Sequence, residues 1–174
     1  MKYFVKFFVV TFFLLFSTDV IAEQKIVVLD LKYVLNNSKA GKSAQDFLKK
    51  SYNNNLKKYA DMEKALKKEE QDLLTKKTVL SKEEYTKKTD ALRKKVIDFQ
   101  SQRRSAIDKI ATQRANSRET LIQTIDPILD AYIKENNIAL ILDKKFALGG
   151  LPENDITTII TEKLNKTLPS LNLK

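Results

Sequence analysis

The sequence predicts a mainly α-helical protein with a small β body (α+β). A long antiparallel coiled-coil hairpin is inserted between the two halves of a small β-rich oligomerisation body. Three observations predict it. The stretch from Lys42 to Asp126 contains neither glycine nor proline, so nothing in it breaks a helix. Within it, seam residues recur at steps of three and four, the repeat that keeps one stripe toward a partner helix. Short β-branched, apolar runs lie only near the two ends, in KIVVLD (Lys25–Asp30) and NNIALILD (Asn136–Asp143).

The N-terminus is set apart from the fold. MKYFVK is a basic lead, FFVVTFFLLF (Phe7–Phe16) an apolar run, and STDVIA places Val20 and Ala22 at the spacing favoured for signal cleavage. The apolar run is well short of the roughly 20 residues that span a bilayer, which argues against an uncleaved anchor. Residues 1–22 are therefore expected to be a signal peptide, with a mature chain from Glu23.

The mature chain reads in order as follows. KIVVLD is a buried strand, and LKYVLNNS one or two helical turns ending near Asn36 and Asn37. With the strand they form the first body segment, residues 23–40. The arm is expected over 41–136, starting at Gly41. Its first seam runs Leu48, Tyr52, Leu56, Tyr59, Met62, Leu66, Glu69 and Leu73. The second runs from Tyr85 through Leu92, Val96, Phe99, Arg103, Ile110 and Ile125 to Ile128. Between them the phase is lost, and Ser81-Lys82-Glu83-Glu84 forms a capping box that starts a new helix. A turn near 75–81, with Val79 and Leu80 covering its apolar end, folds the two helices back. A single continuous helix with a local stutter is the competing arrangement. Pro127 is expected to kink the second helix. The second body segment, residues 137–174, should hold the strand IALILD, a third short strand in KKFAL, and a last helix. That helix should bury Ile156, Ile159, Ile160 and Leu164 on one face.

Composition narrows the chemistry. Histidine and cysteine are absent, which excludes Ser-His-Asp and Cys-His nucleophiles, the usual zinc sites and disulfides. The only adjacent glycines are Gly149 and Gly150, and neither belongs to a phosphate-binding loop. No catalytic, cofactor or metal residue is assigned. The formal net charge of +10 would suit nucleic acid in a cytosolic protein. In an exported one it points instead to anionic lipid, lipopolysaccharide and acidic unfolded chains.

In the order and spacing of these pieces the chain resembles the Skp/OmpH family of periplasmic chaperones. The resemblance is carried by KIVVLDLKYVLNNSKAGK, by the Lys-rich hairpin, by QTIDPILDAYIKENNIALILD with its proline, and by ALILDKKFALGGLPENDITTIITEKLN. It implies a periplasmic homotrimer whose β-rich hub carries three arms around a cavity. That cavity would hold unfolded outer-membrane β-barrel proteins without ATP or any cofactor. A link to lipopolysaccharide through basic arm residues is also implied. Arg103, Arg104, Lys109, Arg114 and Arg118 lie in the corresponding region, where a solvated basic face is the plainer reading.

Candidate residues follow from charge and from position beside the seam. Lys76, Lys77, Lys87, Lys88, Lys94, Lys95, Arg103 and Arg104 are candidates to face clients or anions. Ile97 and Ile107 are candidate apolar client contacts. With Ala111 and Ile122, they would otherwise be ordinary core. A coiled-coil envelope scaffold or an adapter is the alternative function. An adapter would require far more β material around the hairpin than is visible here.

Overall fold

The computed structural model describes residues 25–173; the expected signal peptide and cleavage point lie outside them. Strand β1 (Lys25–Leu29) is followed by helix α1 (Leu31–Asn37), α2 (Lys39–Thr75), α3 (Lys82–Glu135), strand β2 (Ile138–Asp143) and α4 (Thr157–Thr167). Helices α2 and α3 form the hairpin.

The two strands pair in parallel, Val27 opposite Ile141 and Leu29 opposite Asp143. Parallel neighbours need a crossover, and here the entire hairpin is that crossover. The β part is thus a single two-stranded sheet among the described residues. On the free edge of β1, the Ile156 amide donates to the Val28 carbonyl at 3.0 Å.

The core sits below the root of the arm. Val27 and Leu29 of β1, Val34 and Leu35 of α1, Leu121 and Ile125 of α3, and Ile156, Ile160 and Leu164 of the C-terminal segment are all buried together. Burying one such side chain fully is worth about 1.5–3 kcal/mol, so these contacts dominate the body. Side-chain caps fix the entry of the first three helices, from Asp30, Ser38 and Ser81. Asp30 accepts from the Tyr33 amide to start α1, while its own amide donates to the Thr157 hydroxyl at the foot of α4.

Helix α2 begins at Lys39, two residues before Gly41. Buried Ser38 caps α2 and accepts from the Gly41 amide at 3.1 Å, and the Lys39 amide donates to Asn165 of α4 at 2.6 Å. Gly41 lies inside the first turn because α1 passes over it. A Cβ there would stand 1.9 Å from the Leu35 carbonyl oxygen. This glycine serves close approach, not a helix boundary.

At 1.5 Å per residue, the 37 residues of α2 extend about 55 Å. The turn at the tip is real: the Val79 and Leu80 amides donate to the Lys76 carbonyl. Ser81 then caps α3 with both halves of the box formed, since the Glu84 amide donates to the Ser81 hydroxyl and the Ser81 amide to the Glu84 carboxylate. Those bonds hold the Glu84 carboxyl below its usual pKa. Val79 is exposed and does not cover the tip. Helix α3 continues through Pro127, which lies on an exposed part of its surface.

Two expectations for the C-terminal body are corrected. KKFAL is not a strand. Lys144–Phe146 forms a 3-10 turn instead, because the Asp143 carboxylate accepts from the Lys145 amide directly after β2. Lys144 then pairs with Asp155 at 2.6 Å and folds the segment back toward α4. The N-cap residue Ile156 and, in α4, Thr157, Ile160, Thr161 and Leu164 form the buried face; Ile159 is 41% exposed. Thr157 and Thr161 sit within that face, and the Thr161 hydroxyl donates to the Thr157 carbonyl at 2.7 Å.

Candidate binding face of the arm

Between the tip and the body, the arm is two helices thick. Each helix can bury only the stripe facing its neighbour. Leu48 and Tyr59 of α2 and Leu92, Phe99 and Ile110 of α3 fill that stripe. The Tyr59 and Phe99 rings meet edge to face, 6.0 Å between centroids, and the Tyr59 hydroxyl donates to the Gln102 carbonyl at 3.0 Å. Two polar seam residues find partners. Ser117 is buried and donates to the Gln113 carbonyl. Glu69 receives Lys95 from the opposite helix at 2.6 Å.

Tyr52 and Leu56 do not belong to the seam. They are 49% and 52% exposed. Two successive steps of four carry them off the stripe. At roughly 100° per residue, Leu56 lies about 80° round the helix from Leu48, while Asn55 lies within about 20°. Asn55 is accordingly the partly buried residue of that turn.

The displaced pair joins the isoleucines of the facing helix. Tyr52, Leu56, Ile107 and Ile110 line one opening, with Arg103 and Glu63 at its rim. The next opening toward the body shares Tyr52 and Ile107 and adds Arg114 and Arg118. A further one, reaching Gly41 and Leu35, shares Tyr52, Arg114 and Arg118. Toward the tip, an opening that shares Glu63 is lined by Leu66, Leu74 and Ile97. Shared lining residues make these one trough along a single side of the hairpin, from root to tip. Its openings range from ≈ 200 to ≈ 680 Å³.

The structure divides the expected site residues. Ile97 and Ile107, 64% and 53% exposed, both line the trough. Ala111 lines it as well, whereas Ile122 packs against the body core. Arg103 stands at its rim. Lys95 does not line it; its ammonium is taken by Glu69. Lys87 and Lys94 lie instead with Lys82 and Asp90 along a separate shallow surface near the tip. Lys76 and Lys77 sit in the tip turn, and Lys88 and Arg104 are exposed.

Charge is uneven along the trough. In the tip half, Glu63 and Lys67 pair at 2.9 Å; this bond lowers the glutamate pKa and raises that of the lysine. In the root half, Arg103, Arg114 and Arg118 form no ion pair among the described residues, though the charge of Arg103 helps to lower the Glu63 pKa. Sequence reasoning did not reach Tyr52, Leu56, Arg114 and Arg118 as members of one site. The visible signal was the pair of four-residue steps.

The model of the family described as outer membrane protein (OmpH-like) matches residues 25–164. This chain belongs to the OmpH-like family. Among solved structures, it resembles an OmpH-like protein from Caulobacter crescentus CB15, for which an outer-membrane chaperone role has been suggested. The TM-score is 0.79 at 16% identity, with 88% of this chain and 90% of that one covered. At that identity the likeness establishes the fold, a helical hairpin on a small β-containing body. No curated protein gives a significant match. Among the described residues of this OmpH-like chain, no helix is long and apolar enough to cross a membrane.

Proposed function

We propose that this protein is an ATP-independent holdase chaperone of the periplasm, which binds unfolded outer-membrane β-barrel proteins and prevents their aggregation. One observation carries the reading. Tyr52, Leu56, Leu74, Ile97 and Ile107 stay exposed on one side of an arm whose seam is otherwise filled. An apolar stripe with a charged rim marks an interaction surface. An open trough, as opposed to a deep pocket, suits many sequences bound without strict selection.

Family membership supports the chaperone role. The division into a body (23–40 and 137–174) and an arm (41–136), cleavage after Ala22, and assembly as a homotrimer belong to the same proposal. Exposed Ile26, Leu140 and Leu142 on the two strands support association through the body. The small β content argues against a hairpin-bearing adapter.

Light scattering of an unfolded β-barrel protein diluted into buffer tests the reading. Stoichiometric amounts of this chain should suppress aggregation without nucleotide. Undiminished scattering would favour a scaffold.

A further inference from the structure

Resting on that holdase reading, we propose that the root half of the trough selects a particular class of segment. It takes an extended stretch whose one face alternates acidic and apolar residues.

The floor and the rim differ in chemistry. Tyr52, Leu56 and Ile107 present the exposed apolar floor. Arg103, Arg114 and Arg118 stand along the α3 edge, and among the described residues none of them forms an ion pair; Glu63 feels the charge of Arg103 across the opening without bonding to it. Glu63, the acidic residue at this end, is already bonded to Lys67. The floor therefore favours an apolar side chain, and the rim favours carboxylates, which arginine can grip through two parallel hydrogen bonds.

Spacing narrows the choice further. Arg103 and Arg114 are eleven residues apart on one helix, about 16 Å along its axis. An extended chain rises about 3.3 Å per residue, so four to five residues cover that distance. In an extended chain, every second side chain shares a face. A carboxylate at position i can reach Arg103 and one at i+4 can reach Arg114. The residue at i+2 then lies over Ile107, which sits between the two arginines. The long guanidinium side chains absorb the remaining few ångströms. The tip half offers the same apolar floor, but its rim charges are mixed and partly paired, so it should bind apolar segments with little regard for charge.

The experiment is fluorescence anisotropy of labelled peptides with the full mature chain. The first peptide repeats Glu-Ser-Phe-Ser, which puts Glu and Phe on one face. A second replaces Glu by Gln. A third repeats Glu-Phe-Ser-Ser, with the same composition but Glu and Phe on opposite faces. A fourth replaces Phe by Ser. The first should bind at least about tenfold more tightly than the others, the scale of one lost charge-assisted contact. Changing Arg103, Arg114 and Arg118 together to Gln should remove that preference. Lys32→Gln, exposed on α1 of the body and outside the trough, should leave it intact. All four positions are exposed, and circular dichroism checks that the fold is kept.

Equal binding of the first and third peptides would overturn the alternating-face rule. Equal binding of the peptide without Phe would reveal a plain polyanion site and overturn the proposal as well. So would a triple variant that keeps the preference. The scattering assay separates the two readings. Aggregation suppressed without peptide discrimination defeats this inference alone, and discrimination without suppression defeats the holdase reading alone.

Discussion

Helix α3 passes through two environments. At its body end, Leu121 and Ile125 are enclosed by β1, α1 and α4. Along the arm, Leu92, Phe99 and Ile110 touch only α2, and the rest of the helix faces water. The same helix is thus anchored where several elements converge and lightly held where only one does. Local opening free energy follows such differences in buried contact. The arm should therefore fray and rearrange while the body stays folded, which is what a surface that accommodates varied chains needs.

The largest effect should come from breaking the body. Leu164 is fully buried against it. Leu164→Ala should cost about 2–5 kcal/mol, the range for such truncations in closed cores. Chemical denaturation should show the whole molecule shifting to lower midpoint, arm included, because α3 loses its anchor. A shift confined to the body would show that the arm stands independently.

A smaller and opposite test acts on the tip. Ser81→Ala removes the cap of α3 and should cost about 0.5–2 kcal/mol. Hydrogen exchange should quicken over the first turns of α3 and the end of α2, with the amides of β1 and β2 unchanged. Equal quickening in the body would mean that arm and body unfold as one unit, against the contrast drawn above.

Acid should touch the body through Asp155. Burial works to raise its pKa, but bonds from Lys144 and Thr157 together outweigh that and hold it below the ordinary 3.8. A lowered carboxylate contributes stability above its unfolded pKa and loses it as pH falls through its folded one. Asp155→Asn should therefore lower the melting temperature by a few degrees at neutral pH. The difference from wild type should shrink below about pH 4. A gap that is constant with pH would remove charge as the cause.

The body and the arm also differed in how far they could be read in advance. The arm's signals are local: a run without breakers, a capping box completed within four residues, a seam spaced by helical geometry. Tyr52 and Leu56 were misplaced because seam drift is small per step and accumulates. The body depends on contacts far apart in sequence. KKFAL has strand-like composition, yet Asp143 and Asp155 turn it by hydrogen bonds that composition does not display. Ile159 continues an apolar pattern, but the space against α1 and α3 is already filled by Ile156, Ile160 and Leu164. Ile97 and Ile107 could be found as residues beside the seam. The trough that joins them depends on the register of α2 against α3, fixed only by the folded hairpin.

The smallest expected effect concerns that register. Lys95 looked like one more cation for clients to meet, but it bridges to Glu69 with both carboxylate oxygens within 2.8 Å. Both side chains remain about half exposed, at 54% and 43%. Such a pair lies in strong solvent screening, and its coupling should be about 0.2–1 kcal/mol. A double-mutant cycle with Lys95→Ala and Glu69→Ala measures it, read from arm hydrogen exchange and not from global unfolding, since body contacts dominate the latter. The coupling should weaken as salt rises, because the Debye length falls from about 10 Å at 0.1 M to about 3 Å at 1 M. Lys95→Ala should also leave capture of an unfolded barrel protein nearly unchanged, whereas loss of Arg103 should slow it. If Lys95 proves as important for capture as Arg103, the ammonium must leave Glu69 to meet the client. The seam beneath it would then be looser than its geometry implies.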